Sequence, residues 1–321
     1  MSPDLVALAA AHPAKSLMGL WPVGLAAAVA GLLVWSYLFV PRTAFVRKSA
    51  NVCAFVCAGI CLAVVLAALL IILGYLLWKG AHDLNWDFFT KIPVPPGMSG
   101  GGVANALVGS GELLLMATAL GVPLGFLGAI FLAEYQGKTF PFLVRYATDL
   151  LNGVPSIVVG IFAYTVVVVP MKHFSALAGG VALGIMMIPI AMRTTEEFLR
   201  AVPNSLREAA MALGASKWRM ILTVVVPAAI HGIVGGIMLD LARVAGETAP
   251  LLFTTFGNEF WSHSVLQPTA AVPLVIFEYA TGPYSDWHRQ AWAAGFVLLI
   301  SILVVNVIAR SIMHLRHTAA N

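Results

Sequence analysis

The chain has 321 residues, of which 60% are hydrophobic and 10% charged, with a net charge of +4 and a mean hydropathy of +0.92. A soluble domain carries about 25% charged residues, so this composition excludes one and requires a polytopic membrane protein. Lys and Arg in such a chain mainly set topology, and the basic balance is no argument for a nucleic-acid partner.

A helix needs about 20 mainly apolar residues to cross the hydrocarbon core, and seven runs meet that length: 20–40, 52–78, 104–133, 149–170, 174–192, 229–253 and 291–313. Lys15 alone precedes the first run, while Arg42, Arg47 and Lys48 follow it. That order is the reverse of a signal peptide, so 20–40 reads as a retained span within an N-terminal domain of residues 1–50. The second run carries Cys53, Cys57 and Cys61 on one helix face. With no His or carboxylate beside them on that helix they read as small buried hydrophobes, and no metal site is expected.

Twelve of the 18 Lys and Arg fall in alternate loops between these runs. The positive-inside rule makes that side cytoplasmic, which places the N-terminus outside and a short tail, 314–321, inside. Two outer loops, 82–102 and 257–290, are rich in Pro and Gly and are expected to lack regular helix. Their aromatics, among them Trp86, Phe88, Trp261, Tyr279 and Trp287, suit an interfacial belt or loop packing, or a docking surface for an extracytoplasmic partner.

The longest inner loop, 193–228, contains Ser205-Leu206-Arg207-Glu208, a capping box that starts a helix near Leu206. Gly214 can take the left-handed conformation that ends it after Leu213. Leu206, Ala209, Ala210 and Leu213 share a face of this helix. So short a helix needs something to pack against, either the membrane ends of its own chain or a groove on a cytoplasmic subunit.

Further on, Asp240, Arg243 and Glu247 recur at i, i+3 and i+7, which puts three ionisable groups on one face of an intramembrane helix. A charge at the bilayer centre costs about 2.5–3.5 kcal/mol on insertion scales, so it needs a partner helix or a watery cavity. The planar Arg fork suits a tetrahedral oxyanion, and an Arg–carboxylate pair that joins helices fits equally well. Gly246 and Pro250 weaken the helix there. The chain has no Gly-x-x-x-x-Gly-Lys-Ser/Thr loop for nucleotide phosphates, and no trio of nucleophile, base and orienting group.

Glu208-Ala209-Ala210, then Gly214, then Val224-Val225-Val226-Pro227 resembles the EAA loop of ATP-binding cassette (ABC) importer permeases. Ala242-Arg243-Val244-Ala245-Gly246-Glu247-Thr248-Ala249-Pro250-Leu251-Leu252-Phe253-Thr254 is similar to the signature of the phosphate-specific, PstA-type permeases of that family. Gly121-Val122-Pro123, Leu132-Ala133-Glu134-Tyr135, Pro155-Ser156 with Gly160, and Arg193-Thr194-Thr195-Glu196 agree with it, so the likeness covers 52–313.

The resemblance implies an all-α protein of the inner membrane, a six-helix permease core at 51–313 with the helix at 20–40 added. It implies that Glu208, Ala209, Ala210 and Gly214 couple to a cytoplasmic ATPase. It also implies that Arg243 lines a phosphate path with Glu247 as counter-charge and with Thr248 and Asp240 beside it. The implied partners are a second homologous permease, two copies of the ATP-binding subunit, an extracytoplasmic phosphate-binding protein and membrane lipid. ATP and Mg would belong to the ATPase, and this chain would bind no cofactor. Asp240 and Glu112 depart from the family pattern, and one or the other is expected to be protonated or paired with a basic group of a partner subunit, unless Asp240 points away toward a cytoplasmic or interhelical polar contact. The rival readings are a permease for another oxyanion, the sister-permease role, and a proton-coupled transporter relaying through Asp240, Glu247 and Glu112.

Overall fold

The computed structural model describes residues 30–31, 44–95, 98, 100–135, 137 and 139–318. The residues up to Gly74 form one unit and those from Tyr75 another. The helices are α1 (Ala44–His82), α2 (Trp86–Thr90), α3 (Ala104–Glu134), α4 (Phe140–Gly153), α5 (Ser156–Ala163), α6 (Ala176–Ala201), α7 (Asn204–Ala212), α8 (Lys217–Met220), α9 (Val226–Ala245), α10 (Ala249–Leu252), α11 (Val272–Thr281) and α12 (Ser285–Thr318). There is no strand among the described residues. Among the described residues five helical columns are long and apolar enough to cross a membrane, and six when the bent pair α4 and α5 counts as one. The expected span at 20–40 lies outside the described residues apart from Ala30 and Gly31.

The second unit is built on α3. At about 1.5 Å per residue, its 31 residues reach about 46 Å, longer than a hydrocarbon core of about 30 Å. Three apolar clusters follow one another along it. Val103 and Ala106 beside its first turn pack with Phe88, Val272 and Tyr279. Leu113 and Ala117 pack with Leu183, Met187, Val244 and Leu251. Ala129 and Ile130 pack with Leu199, Ile221, Val225 and Ile233.

Lipid tails are as apolar as leucine, so close approach and dispersion, not exclusion from water, hold such helices together. Glycines on α3 and α6 permit that approach. A Cβ on Gly125 would lie 2.8 Å from the Cβ of Ala191 and 3.0 Å from the carbonyl oxygen of Ile188, and one on Gly184 would strike Leu120 at 2.7 Å.

Proline accounts for the irregular points. π-helical turns occupy Tyr164–Val168 and Ile221–Val225, and each stops two residues before a proline, Pro170 and Pro227. A proline ring clashes with the carbonyl four residues back and donates no hydrogen bond. The wider i→i+5 turn, seen where Val169 N–H reaches Tyr164 and Val226 N–H reaches Ile221, lets the chain continue helically through the clash. Lys217 to Ala245 is consequently one column.

Two expectations are corrected. The run at 149–170 is not one straight span, because Pro155 drives Val154 out of the α region (ψ 129°), and α4 meets the following helix at 102°. Both outer loops contain regular helix: α2 lies within 82–102, capped by the Asn85 side chain, and α11 within 257–290 has Pro273 in its first turn, where the missing N–H has no intrahelical partner to lose.

Replacing Gly125 by Val should lower the thermal stability of the solubilised protein by about 1–3 kcal/mol through overpacking. Gly111→Ala, which meets open space, should change it by less than about 0.5 kcal/mol. Thermal unfolding of both variants in one detergent checks the contrast.

Candidate functional site

The face of α9 turned into the protein repeats as Ala229, Ile233, Gly236, Asp240 and Val244. Its approach to α6 is close, for a Cβ on Gly236 would fall 2.0 Å from Thr194 Cγ2. Asp240 is therefore buried, 5% exposed, and its Oδ2 has no hydrogen-bond partner among the described residues. Its side chain is turned inward, toward α6, but no hydrogen bond or ion pair joins it to a neighbouring helix among the described residues, so the expected polar contact is not formed.

Arg243, three residues on, is exposed, and no hydrogen bond or ion pair holds its guanidinium among the described residues. The helix ends at Ala245 with Gly246 as its cap. Glu247 consequently leaves the α9 face, and it makes no ion pair with Arg243 within 4.0 Å. The one-face expectation therefore fails for Glu247, because helical spacing stops applying where the helix stops. Arg243 sits in the last turn of α9, where the carbonyl end of the helix dipole favours a cation. Glu247 and Thr248 are half-buried in the link to α10. Glu112 on α3 is also half-buried.

The rest of the signature is packing. Thr254 and Thr255 are buried, and their hydroxyls donate to the carbonyls of Pro250 and Leu251 at 2.8 and 3.0 Å. Pro250 lies against Gly160, where a Cβ would come 2.6 Å from Pro250 Cα. A partly open groove of about 240 Å³ beside α9, lined by Leu114, Leu241, Ala245, Leu298 and Ile302 with Ser301 and Asn306, is mainly apolar and has no charged residue in its lining.

At the far end of α9 the inner loop folds back under α3. α7 starts after Pro203 and not at Ser205, which lies inside the helix and caps nothing, so the expected capping box does not form. Gly214 takes φ +84°. Its N–H reaches the carbonyl of Met211, and the Ala215 N–H reaches Ala210, the paired bonds of a Schellman ending. Ala210 is half-buried against the cluster around Ile221 and Val225. Glu208, Ala209, Leu206 and Leu213 are exposed, Leu213 to 90%. The predicted docking face is thus unoccupied by this chain's own residues, apart from Ala210.

Sequence reading missed the charges that hold this end. Four cations converge on the carboxyl terminus of α3. Arg145 and Arg200 donate to the Leu132 carbonyl at 2.8 and 3.2 Å, and Lys217 donates to the Glu134 carbonyl at 2.7 Å. Arg207 grips the Glu134 carboxylate at 2.9 and 3.0 Å. Arg145 and Arg200 share the buried Glu196 as well, at 2.8 and 3.0 Å. The available signal was an acid closing an apolar run, Glu134, and a base directly before the EAA triplet, Arg207.

Comparison with known proteins agrees with this geometry. Residues 121–316 match the family described as "Binding-protein-dependent transport system inner membrane component". The chain is 46% identical over 248 residues to the phosphate transport system permease protein PstA of Yersinia pestis, covering 75% of this chain and 84% of that one. It is 37% identical over 211 residues to a probable PstA of Methanocaldococcus jannaschii, covering 65% and 75%. Among solved structures, a bacterial alginate ABC transporter in complex with a periplasmic protein superposes with a TM-score of 0.57 at 14% identity, over 82% of this chain and 94% of that chain. The inward-facing MetNI methionine ABC transporter gives a TM-score of 0.50 at 18% identity, over 65% and 94%. Both likenesses concern the fold.

Glu196→Ala should leave Arg145 and Arg200 facing each other without their shared carboxylate. Both arginines are partly solvated, so the expected loss is about 1–3 kcal/mol, below the value for a fully buried pair. Thermal unfolding at low ionic strength should show it, with Glu196→Gln losing less.

Proposed function

Because the chain belongs to the family of binding-protein-dependent transport system inner membrane components and, within it, to the PstA phosphate permeases, we propose how its geometry serves phosphate import. It is a multi-pass permease subunit of an ABC importer for inorganic phosphate. In our reading the α7 end is cytoplasmic, in keeping with the excess of Lys and Arg on that side. α7 docks on an ATP-binding subunit present in two copies, a second homologous permease completes the pathway, and an extracytoplasmic binding protein delivers phosphate. This chain performs no catalysis and holds no cofactor, and ATP and Mg belong to the ATPase.

The observation that carries the reading is Arg243. Intramembrane charges usually find partners within their own bundle or face a water-filled cavity. Arg243 is exposed and unpaired among the described residues, on a column otherwise apolar enough to span. An arginine left open in that setting faces water or a partner's surface, and its fork can hold two phosphate oxygens at once. Glu247 and Thr248, in the non-helical link, border the same path. Asp240 lies on the inward face of α9, one turn before Arg243.

The coupling surface follows from α7. Leu206, Ala209 and Leu213 are exposed on a helix of nine residues, too short to persist in water without packing, and the partner's groove supplies that packing. Closure of the ATPase pair would then displace α7 and, through the Lys217–Ala245 column, Arg243.

Arg243→Gln should abolish ATP-driven phosphate uptake in proteoliposomes while the complex still assembles, and Arg243→Lys should retain a fraction. Uptake that survives ATP depletion but ceases when the proton gradient is collapsed would instead establish the proton-coupled alternative. Gly214→Val should cost about 1–2 kcal/mol at a left-handed position and reduce the ATPase that co-purifies with the permease.

A further inference from the structure

We infer that Glu134 is the joint through which movement of α7 enters the paired helices α3 and α6, making it a positioning residue for transport. The inference deepens the coupling role given to α7 above and rests on it.

α7 has little apolar fastening. Its apolar face is exposed save for Ala210, so the hold is polar and centres on Arg207. The Nε and Nη2 atoms of Arg207 both donate to Glu134 Oε1, at 3.0 and 2.9 Å. Nη2 also donates to the Leu199 carbonyl at 2.7 Å, and Nη1 donates to the Val202 carbonyl. One guanidinium thereby ties α7 to the ends of both α3 and α6. The contact is dry, with side-chain exposures of 12% for Arg207 and 4% for Glu134, so water screens it little. A second cation acts on the same residue, for Lys217 at the start of α8 binds the Glu134 carbonyl and lies 4.0 Å over the Tyr135 ring. Glu134 therefore bonds to the helices on both sides of the Gly214 turn.

What α3 can then transmit is set by its other attachments. Its glycine seam locks it to α6, so the pair moves as one body. At its opposite end Asn105 donates to the Asn258 carbonyl at 2.7 Å, and Ser110 accepts from the Val272 N–H at 2.8 Å. A displacement delivered at Glu134 reaches the 257–272 segment along one continuous helix, which carries Pro123 in its interior. Arg145 and Arg200 grip α3 two residues earlier, at Leu132, but they come from α4 and α6 and make no bond to α7. A residue needed only for stability would change how much complex is recovered. A joint changes how much phosphate moves per ATP.

The test uses the full complex, this chain with its partner subunits, in proteoliposomes, and reads phosphate taken up per ATP hydrolysed. Glu134→Gln should assemble with wild-type composition and lower that ratio about tenfold, an ordinary magnitude for coupling between sites. Arg207→Lys, which keeps the charge and loses the fork, should fall between. A wild-type ratio in Glu134→Gln, even in a reduced yield of complex, overturns the joint while leaving the importer reading intact. Absence of ATP-driven uptake in the wild type overturns both. Spin labels at Ser205→Cys on α7 and Leu127→Cys on α3, with Cys53, Cys57 and Cys61 replaced by alanine, supply a second readout. Their separation should stay within about 2 Å between nucleotide-free and ATP-bound wild-type complex, the scale of packed-helix shifts, and should broaden in Glu134→Gln. A larger change in the wild type overturns the joint. If Glu134→Gln yields no complex, Arg207→Lys and the wild-type distances decide.

Discussion

Everything in the second unit depends on how closely α3 and α6 approach. Within a bilayer no solvent drives two apolar helices together, so association comes from surfaces that fit. Gly125 against Ala191 and Gly184 against Leu120 bring the backbones near enough for dispersion to accumulate along most of their length. The three clusters that follow α3 from Val103 to Ile130 are extensions of that seam, because α9, α10 and α11 each pack onto a surface the pair presents. Thr254 and Thr255 show the same economy, returning their hydroxyl hydrogens to carbonyls one turn back, so that a buried loop leaves no donor unmet.

On that frame the charges divide by surroundings. Glu134 and Glu196 are buried, and each is met by arginine at salt-bridge distance. The carboxyl terminus of α3 adds its own negative pole, and four cations from α4, α6, α7 and α8 gather there. Arg243 occupies a carbonyl terminus as well, that of α9, yet it has no carboxylate within ion-pair distance among the described residues. Two helix ends of the same polarity thus serve differently. One is neutralised and holds the loop that carries α7, while the other keeps an exposed cation.

The joining column explains how those ends can communicate. Lys217 touches Glu134 at one extremity and Arg243 stands near the other, with a π turn between them. The turn exists because Pro227 will not fit a regular α-helix, and a wide turn of this kind often marks a functional place in a helix. Proline thereby preserves the continuity of a span that it would otherwise kink.

Much of this was legible in the chain of letters. Apolar runs of 20 or more residues had to become spans, Gly214 had to close α7 because it alone there has no Cβ to resist φ +84°, and the EAA spacing with the Arg243-to-Thr254 stretch pointed to phosphate permeases. These are local properties, decided within a turn or two of the residue concerned. Local rules also misled where a neighbour intervened. Ser205 satisfied the capping pattern, yet α7 starts one residue earlier, after Pro203, and helical spacing carried Glu247 onto a face that the helix end at Ala245 removed. Only the tertiary structure could pair Glu134 with Arg207, 73 residues apart in sequence, enclose Asp240 and leave Arg243 open. Whether a charge is met or free depends on which helices surround it, and no periodicity in the sequence encodes that.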